Sequence, residues 1–109
     1  MGVLDELIPN LEGFEWDAGN TDKNWLRHEV RQAEAEQALL NTPLVVATDL
    51  KHSAAEARFL ALGQTDAGRL LAVVFTVRGR RVRVISARTM SKGEQRVYGQ
   101  ARSEAEADS

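Results

Sequence analysis

The second half of the chain contains short apolar segments separated by turn residues, and this pattern restricts the possible fold more than any other feature. The segments are LVVAT, ARFLALG, RLLAVVFTV and RRVRVISAR, all between Leu44 and Arg88. Turn-forming residues separate them, including TDAG and Gly79. Connections this short predict consecutive strands paired as hairpins, and therefore a four-stranded antiparallel sheet.

The last two segments differ in how their apolar residues are spaced. LLAVVFTV is apolar at both alternating sets of positions, which is typical of a central strand covered on both faces. In the next segment Arg81 and Arg83 alternate with Val82 and Val84. Because alternate residues of a strand point to opposite faces, we expect one face in the core and one face lined by arginine.

Helical patterns precede and follow the strands. DKNWLRHEV predicts a first helix, and RQAEAEQALLN predicts a second one that ends near Asn41 and Pro43. A last helix is expected to begin after Ser91, because Ser91 and Glu94 have the spacing of a capping box.

The expected fold class is therefore α+β, with two N-terminal helices, a four-stranded antiparallel sheet and one C-terminal helix. The stretch GFEW is a candidate for a short fifth strand at the N-terminal side. A length of 109 residues predicts a single domain. We expect residues 1–13 to form an N-terminal extension, residues 14–102 the domain, and residues 103–109 a disordered acidic tail.

Charge is distributed unevenly along the chain. Residues 1–68 hold 5 Lys or Arg and 12 Asp or Glu, whereas residues 69–102 hold 9 and 1. A segment with so much arginine is a candidate phosphate-binding surface, because the guanidinium offers a planar fork of donors. An equally open interpretation is a solvated face whose arginines pair with the acidic half of the same domain.

Several classes of protein are disfavoured by composition. The chain has no cysteine, which excludes disulfides, thiolate catalysis and cysteine-based metal sites. Its N-terminus does not resemble a signal peptide, and the longest apolar run, LLAVVF, is too short to cross a membrane. We therefore expect a cytoplasmic protein.

Several motifs occur together in one order: FEWD, KNWLRH, DLKHS, EARF, GRLLAVVFTVRG, RVISAR and MSKGEQRVY. In these motifs, which extend from Phe14 to Tyr98, the chain resembles the BrnT family of type II toxins. The resemblance implies a RelE-like fold and a metal-independent endoribonuclease without cofactors that cleaves RNA and inhibits translation. It also implies a BrnA-like antitoxin as partner, in a heterotetramer of two toxins and two antitoxins that contacts DNA only through the antitoxin.

The resemblance gives the arginines a function. RNA cleavage through the substrate's own 2′-hydroxyl needs cations around the crowded phosphate, and we place Arg83 and Arg88 nearest to it. These two residues are separated by an odd number of positions, so a regular strand would point them to opposite faces unless a bulge intervenes or Arg88 lies beyond its end. The expected contacts to the flanking RNA are Lys23, Arg58, Arg78, Arg80 and Arg81.

Proton transfer needs different side chains. His28 lies in the motif where the family has its histidine, and Glu56 and Tyr98 also match family positions, so these three are the candidates for acid and base. His28 could instead be an ordinary helix-terminal histidine, and Glu56 an arginine partner or a solvated glutamate. Tyr98 could also donate to a phosphate or stack on a base. His52 could orient substrate or cap a turn.

The sequence also departs from the family pattern at a few positions. Glu29 stands where the family usually has glycine, in a place where a left-handed backbone is expected. Further departures are Ala57, Gly93 and Gln95. The alternative function is therefore a catalytically inactive homologue that only binds an antitoxin or RNA.

Overall fold

The computed structural model describes residues 10–16, 28–49 and 56–107. In chain order the elements are β1 (Gly13–Glu15), α1 (Gln32–Leu40), β2 (Val45–Thr48), β3 (Arg58–Gln64), β4 (Leu70–Arg78), β5 (Arg81–Thr89) and α2 (Lys92–Ala107). The strands form one sheet in the order β1-β5-β4-β3-β2. Strands β2 to β5 pair antiparallel in sequence order, whereas β1 pairs parallel to β5.

The expected arrangement of two N-terminal helices and an antiparallel sheet is wrong. The sheet is mixed and has five strands, and among the described residues one helix, α1, lies between β1 and β2. The mixed pairing arises because β1 joins the free edge of β5, while the chain that follows it enters the sheet at the opposite edge. Most of the segment expected to form the first helix lies outside the described residues. Of its last three residues, His28 is helical, whereas Glu29 and Val30 are not.

The central position of β4 agrees with its apolar sequence, because both of its faces are covered. One face packs with α1 around Phe75, Leu71 and Val73, which are completely buried. The other face packs under α2, where Ala72 contacts a cluster that includes Tyr98. Burial on both faces explains why the strand has no polar alternation.

Helix α1 lies unusually close to the sheet. Its buried face consists of Ala35, Ala38 and Leu39. Gly63 of β3 lies directly beneath the Ala38 carbonyl, so a Cβ at this position would collide with the helix backbone. The small residues on α1 and the glycine on β3 together permit this close contact.

Helix α2 begins where the capping pattern predicted. The Ser91 N–H donates to Glu94 Oε1 at 2.8 Å, and the Glu94 N–H donates to Ser91 Oγ at 3.2 Å. This reciprocal pair satisfies donors that the first helical turn leaves unpaired. Neither helix in the described part of the chain is long and apolar enough to span a bilayer.

Candidate nucleic-acid interface

Four arginines lie side by side on one face of the sheet, near the turn between β4 and β5. Arg83 of β5 is opposite Thr76 of β4, which is opposite Arg58 of β3. In the neighbouring row Arg81 is opposite Arg78. Because directly paired residues point to the same side, the four form one surface, which we call the arginine face.

A β-bulge brings Arg88 to the same side of the sheet as Arg83. The register between β4 and β5 shifts by one residue, which leaves Ile85 without a partner in β4. Arg83 is opposite Thr76, and Arg88 is opposite Ala72. Since Thr76 and Ala72 are separated by an even number of residues on one strand, both arginines point to the α2 side.

Arg88 is held by a carboxylate of α2. Its Nη1 and Nη2 donate to Glu94 Oε1 and Oε2 at 2.6 and 2.9 Å. These hydrogen bonds, assisted by those from Ser91, lower the pKa of Glu94 to about 2 although burial opposes the shift. The same pair raises the pKa of Arg88. Arg88 is therefore fixed at the junction of β5 and α2.

Carboxylates from the first half of the chain lie around the other arginines. Arg78 Nε lies 3.8 Å from Glu56 Oε2. Glu12 bridges Arg80 and Arg81, with N···O distances of 3.3 and 3.6 Å. These contacts are long and solvent-exposed, so they stabilise the fold little and leave further guanidinium donors for a ligand.

An open cleft of about 410 Å³ lies between β1 and the arginine face. It is lined by Phe14, Glu15, Trp16, Arg78, Arg81 and Arg83. Glu15 of β1 is directly opposite Arg83 in the parallel pair. Among the residues that the structure describes, none forms a hydrogen bond or ion pair with the Glu15 carboxylate. No local sequence pattern identifies Glu15 as a site residue, because the pairing of distant strands places it beside Arg83.

Tyr98 lies in the core rather than on the surface. Its ring is fully buried, and its hydroxyl donates to the Pro43 carbonyl at 2.6 Å. Burial raises the pKa of this phenol above its ordinary value. The hydrogen bond connects α2 to the segment before β2.

His28 and Glu29 lie near the end of β5 that is remote from the cleft. Arg69 organises this region and has no counterpart among the expected site residues: it donates to the carbonyls of Glu29 at 2.7 Å and His28 at 3.0 Å. The same guanidinium contacts Glu34 at 3.2 Å and Thr89 at 3.3 Å. Burial would raise the pKa of Glu34, but hydrogen bonds from the Arg31 backbone and from Arg69 outweigh it and lower the pKa.

Two residues named from the sequence, Lys23 and His52, lie outside the described residues. Within the described ranges, no group of three or more His, Asp or Glu side chains is arranged so that it could hold a metal ion. The structure therefore brings together Glu56, Arg58, Arg78, Arg81 and Arg83 around one end of the sheet, with Arg80 at the adjoining turn. The backbone of His28 lies near the opposite end of β5, away from this group of residues.

This architecture is shared with a small nuclease of known structure. The 1.1 Å crystal structure of the ribonuclease toxin BrnT from Brucella abortus matches with a TM-score of 0.53 and 23% identity, over 73% of this chain and 97% of that chain. This structural similarity shows that the two chains share a fold. The sequence profile of the family described as ribonuclease toxin, BrnT, of type II toxin-antitoxin systems matches residues 16–94. The chain belongs to this BrnT family. No curated protein sequence gives a significant match.

Proposed function

We propose that this protein is the toxin of a type II toxin-antitoxin pair and that it cleaves RNA at the arginine face. The observation that carries the proposal is the register that gathers four arginines beside an open cleft, in a chain of a ribonuclease toxin family. In this reaction the RNA 2′-hydroxyl attacks the adjacent phosphate, which leaves a 2′,3′-cyclic phosphate and a 5′-hydroxyl. Loss of messenger or ribosomal RNA integrity would then inhibit translation.

The proposed roles follow from the positions of the side chains. Arg83, in the middle of the face and lining the cleft, binds the scissile phosphate and stabilises the charge that develops on it. Arg58, Arg78 and Arg81 bind the flanking backbone. The forked guanidinium supplies here the positive charge that a metal ion supplies in other nucleases, so the proposed reaction is independent of metal.

The remaining candidates take different roles in the proposal. Glu56 is ion-paired with Arg78 at the edge of the face, so it orients that arginine or exchanges a proton with substrate. Tyr98 is a packing residue, since its hydroxyl is already bonded to Pro43. Arg88 supports β5 through Glu94. His28 remains a candidate acid only if RNA extends along the full length of β5.

A BrnA-like antitoxin is the proposed partner, in an assembly of two toxins and two antitoxins. The supporting feature is the same cationic surface, because an acidic antitoxin segment that covers it would block RNA and neutralise the charge. Contact of such a complex with DNA would be made by the antitoxin.

The proposal is tested with Arg83→Ala and Arg83→Lys, measuring RNA affinity at two salt concentrations and single-turnover cleavage. We expect Arg83→Ala to weaken binding of every RNA sequence and to reduce the salt dependence by about one counterion. Arg83→Lys should restore binding better than cleavage, because a point charge lacks the bidentate geometry. Arg102→Ala, which removes the same charge from exposed α2, is the matched control and should behave as the parent.

Two outcomes would contradict parts of the proposal. Cleavage that stops in a chelator and returns with a divalent ion would exclude the metal-independent reaction. A parent protein that binds RNA or antitoxin through the arginine face but leaves RNA intact at high concentration would instead support the non-catalytic alternative.

A further inference from the structure

Glu15 is a carboxylate placed where a phosphate-binding surface would not be expected to have one. It lies on β1 directly opposite Arg83 and lines the cleft together with Arg78 and Arg81. A carboxylate here repels the phosphate that these arginines attract, so it weakens RNA binding. Its presence therefore calls for a function other than affinity.

The position of Glu15 suits proton transfer. Adjacent strands lie about 4.8 Å apart, and residues in register point to the same side. A phosphate held by Arg83 would have its neighbouring ribose within reach of the Glu15 carboxylate. The 2′-hydroxyl of that ribose is the group that must lose a proton before it attacks phosphorus.

The other carboxylates near the arginines each lie within ion-pairing distance of a guanidinium group. Both oxygens of Glu94 accept hydrogen bonds from Arg88, Glu12 bridges two arginines, and Glu56 is paired with Arg78. Glu15 has no such partner among the described residues. It is also outside the segment matched by the family profile, which begins at residue 16.

We propose that Glu15 is the general base of the RNA-cleavage reaction, an assignment that rests on the proposed function. The carboxylate takes the proton of the 2′-hydroxyl, the 2′-oxygen forms a bond to phosphorus, and the bond from phosphorus to the 5′-oxygen breaks. The leaving 5′-oxygen takes a proton from water, and Glu15 later returns its proton to solvent. No oxidant, reductant or second substrate takes part.

The test compares Glu15→Gln and Glu15→Asp with the parent, using a short single-stranded RNA of mixed sequence in single-turnover cleavage. Glu15→Gln should cleave about a hundredfold more slowly or worse, the usual scale for loss of a general base, yet bind this RNA as tightly as the parent or more tightly. Glu15→Asp should recover part of the rate. A purely structural role would not combine slower cleavage with stronger binding.

A matched control and a modified substrate sharpen the result. Glu12→Gln removes the same charge from a carboxylate that contacts Arg80 and Arg81, and it should change the cleavage rate by less than about threefold. When the scissile 5′-oxygen is replaced by sulfur, a better leaving group, the Glu15→Gln defect should persist, because the base acts on the nucleophile.

The outcomes separate this assignment from the proposed function. If Glu15→Gln cleaves within about threefold of the parent while Arg83→Ala does not, Glu15 is not the base and the ribonuclease function stands. If the leaving-group substitution restores the Glu15→Gln rate, the residue acts as an acid and the assignment is overturned. A parent that cleaves no RNA would remove the proposed function and this assignment together.

Discussion

At the scale of single residues, the backbone at Glu29 shows the cost of a departure from the family pattern. Its φ of 51° lies in the left-handed region, which glycine adopts freely and other residues adopt at a cost of about 1 kcal/mol. The Arg69 guanidinium holds the Glu29 carbonyl at 2.7 Å. A hydrogen bond from Arg69, in the connection between β3 and β4, thus helps to maintain a conformation that the residue itself disfavours.

Glu29→Gly should therefore raise the free energy of unfolding by about 1 kcal/mol, because it removes the strain at positive φ. Urea denaturation of parent and variant measures the difference. Glu104→Gly, the same substitution in the interior of α2, should lower stability by a similar amount because glycine weakens a helix. If Glu29→Gly and Glu104→Gly changed the free energy of unfolding by the same amount in the same direction, strain at the positive φ of Glu29 would not explain the result.

Gly63 illustrates the opposite case, in which a side chain is excluded by packing. Gly63→Ala should lower stability by about 2 kcal/mol or more, because the new methyl group would meet the Ala38 carbonyl and move α1. Gly99→Ala is the control: no atom lies near its Cβ position on α2, so it should be neutral or slightly stabilising. Thermal unfolding of both variants tests this pair, and an unchanged melting temperature for Gly63→Ala would refute the close contact.

At the scale of elements, the Arg88–Glu94 pair attaches α2 to the end of β5. The pair also completes the N-terminal cap of the helix, since Glu94 accepts from the Ser91 N–H as well. One carboxylate therefore stabilises a strand-to-helix junction, a helix terminus and the orientation of an arginine. All three features depend on the ionised carboxylate, so protonation of Glu94 at low pH weakens them.

Glu94 has a pKa of about 2 in the folded protein and an ordinary value of 4.5. Because the folded pKa is depressed, its stabilisation is present above about pH 4.5 and is lost as the pH falls towards 2. Since Arg88 is partly exposed to solvent, we expect a loss of about 2 kcal/mol rather than the larger value for a buried pair.

Urea denaturation across this pH range should show the loss in the parent and a much smaller loss in Glu94→Gln. Glu104→Gln, on the exposed side of α2, should keep the parent's pH dependence. Parallel stability curves for the parent and Glu94→Gln would show that another group controls acid unfolding.

At the scale of the whole molecule, the structure supports one interpretation of the arginine-rich segment, in which arginines pair with acidic residues, while phosphate binding stays a prediction. Some arginines pair with the acidic half of the chain, as Arg69 does with Glu34 and Arg80 with Glu12. The pairs of Arg78 with Glu56 and of Arg81 with Glu12 are long and exposed, so these two guanidinium groups keep further donors for a polyanion. These ion pairs thus keep the acidic and basic halves of the chain in contact.

An acidic antitoxin segment should compete for this surface. Combining Arg78→Gln with Arg83→Gln should weaken toxin–antitoxin binding by about tenfold or more and reduce its salt dependence. Calorimetric titration at two salt concentrations measures both effects. The control combines Arg96→Gln with Arg102→Gln on α2, and if it weakens the complex equally, the antitoxin does not dock on the arginine face.

Much of the molecule was predictable from local sequence. The apolar segments identified β2 to β5, the Ser91–Glu94 spacing identified the start of α2, and the motifs identified the family. These signals are local because turn chemistry, capping and strand patterning depend on residues a few positions apart. The uneven distribution of charge was also evident in the sequence.

Only the tertiary structure decided which of these parts meet. The parallel pairing of β1 with β5 made the sheet mixed and placed Glu15 beside Arg83. The bulge at Ile85 turned Arg88 to the same side as Arg83, which the odd spacing of the two residues left open. Strand order and register depend on contacts between distant segments, and register is specified where one face of a strand is buried. The sequence by itself determined the strands and their charge, and the packing of the sheet determined the cleft.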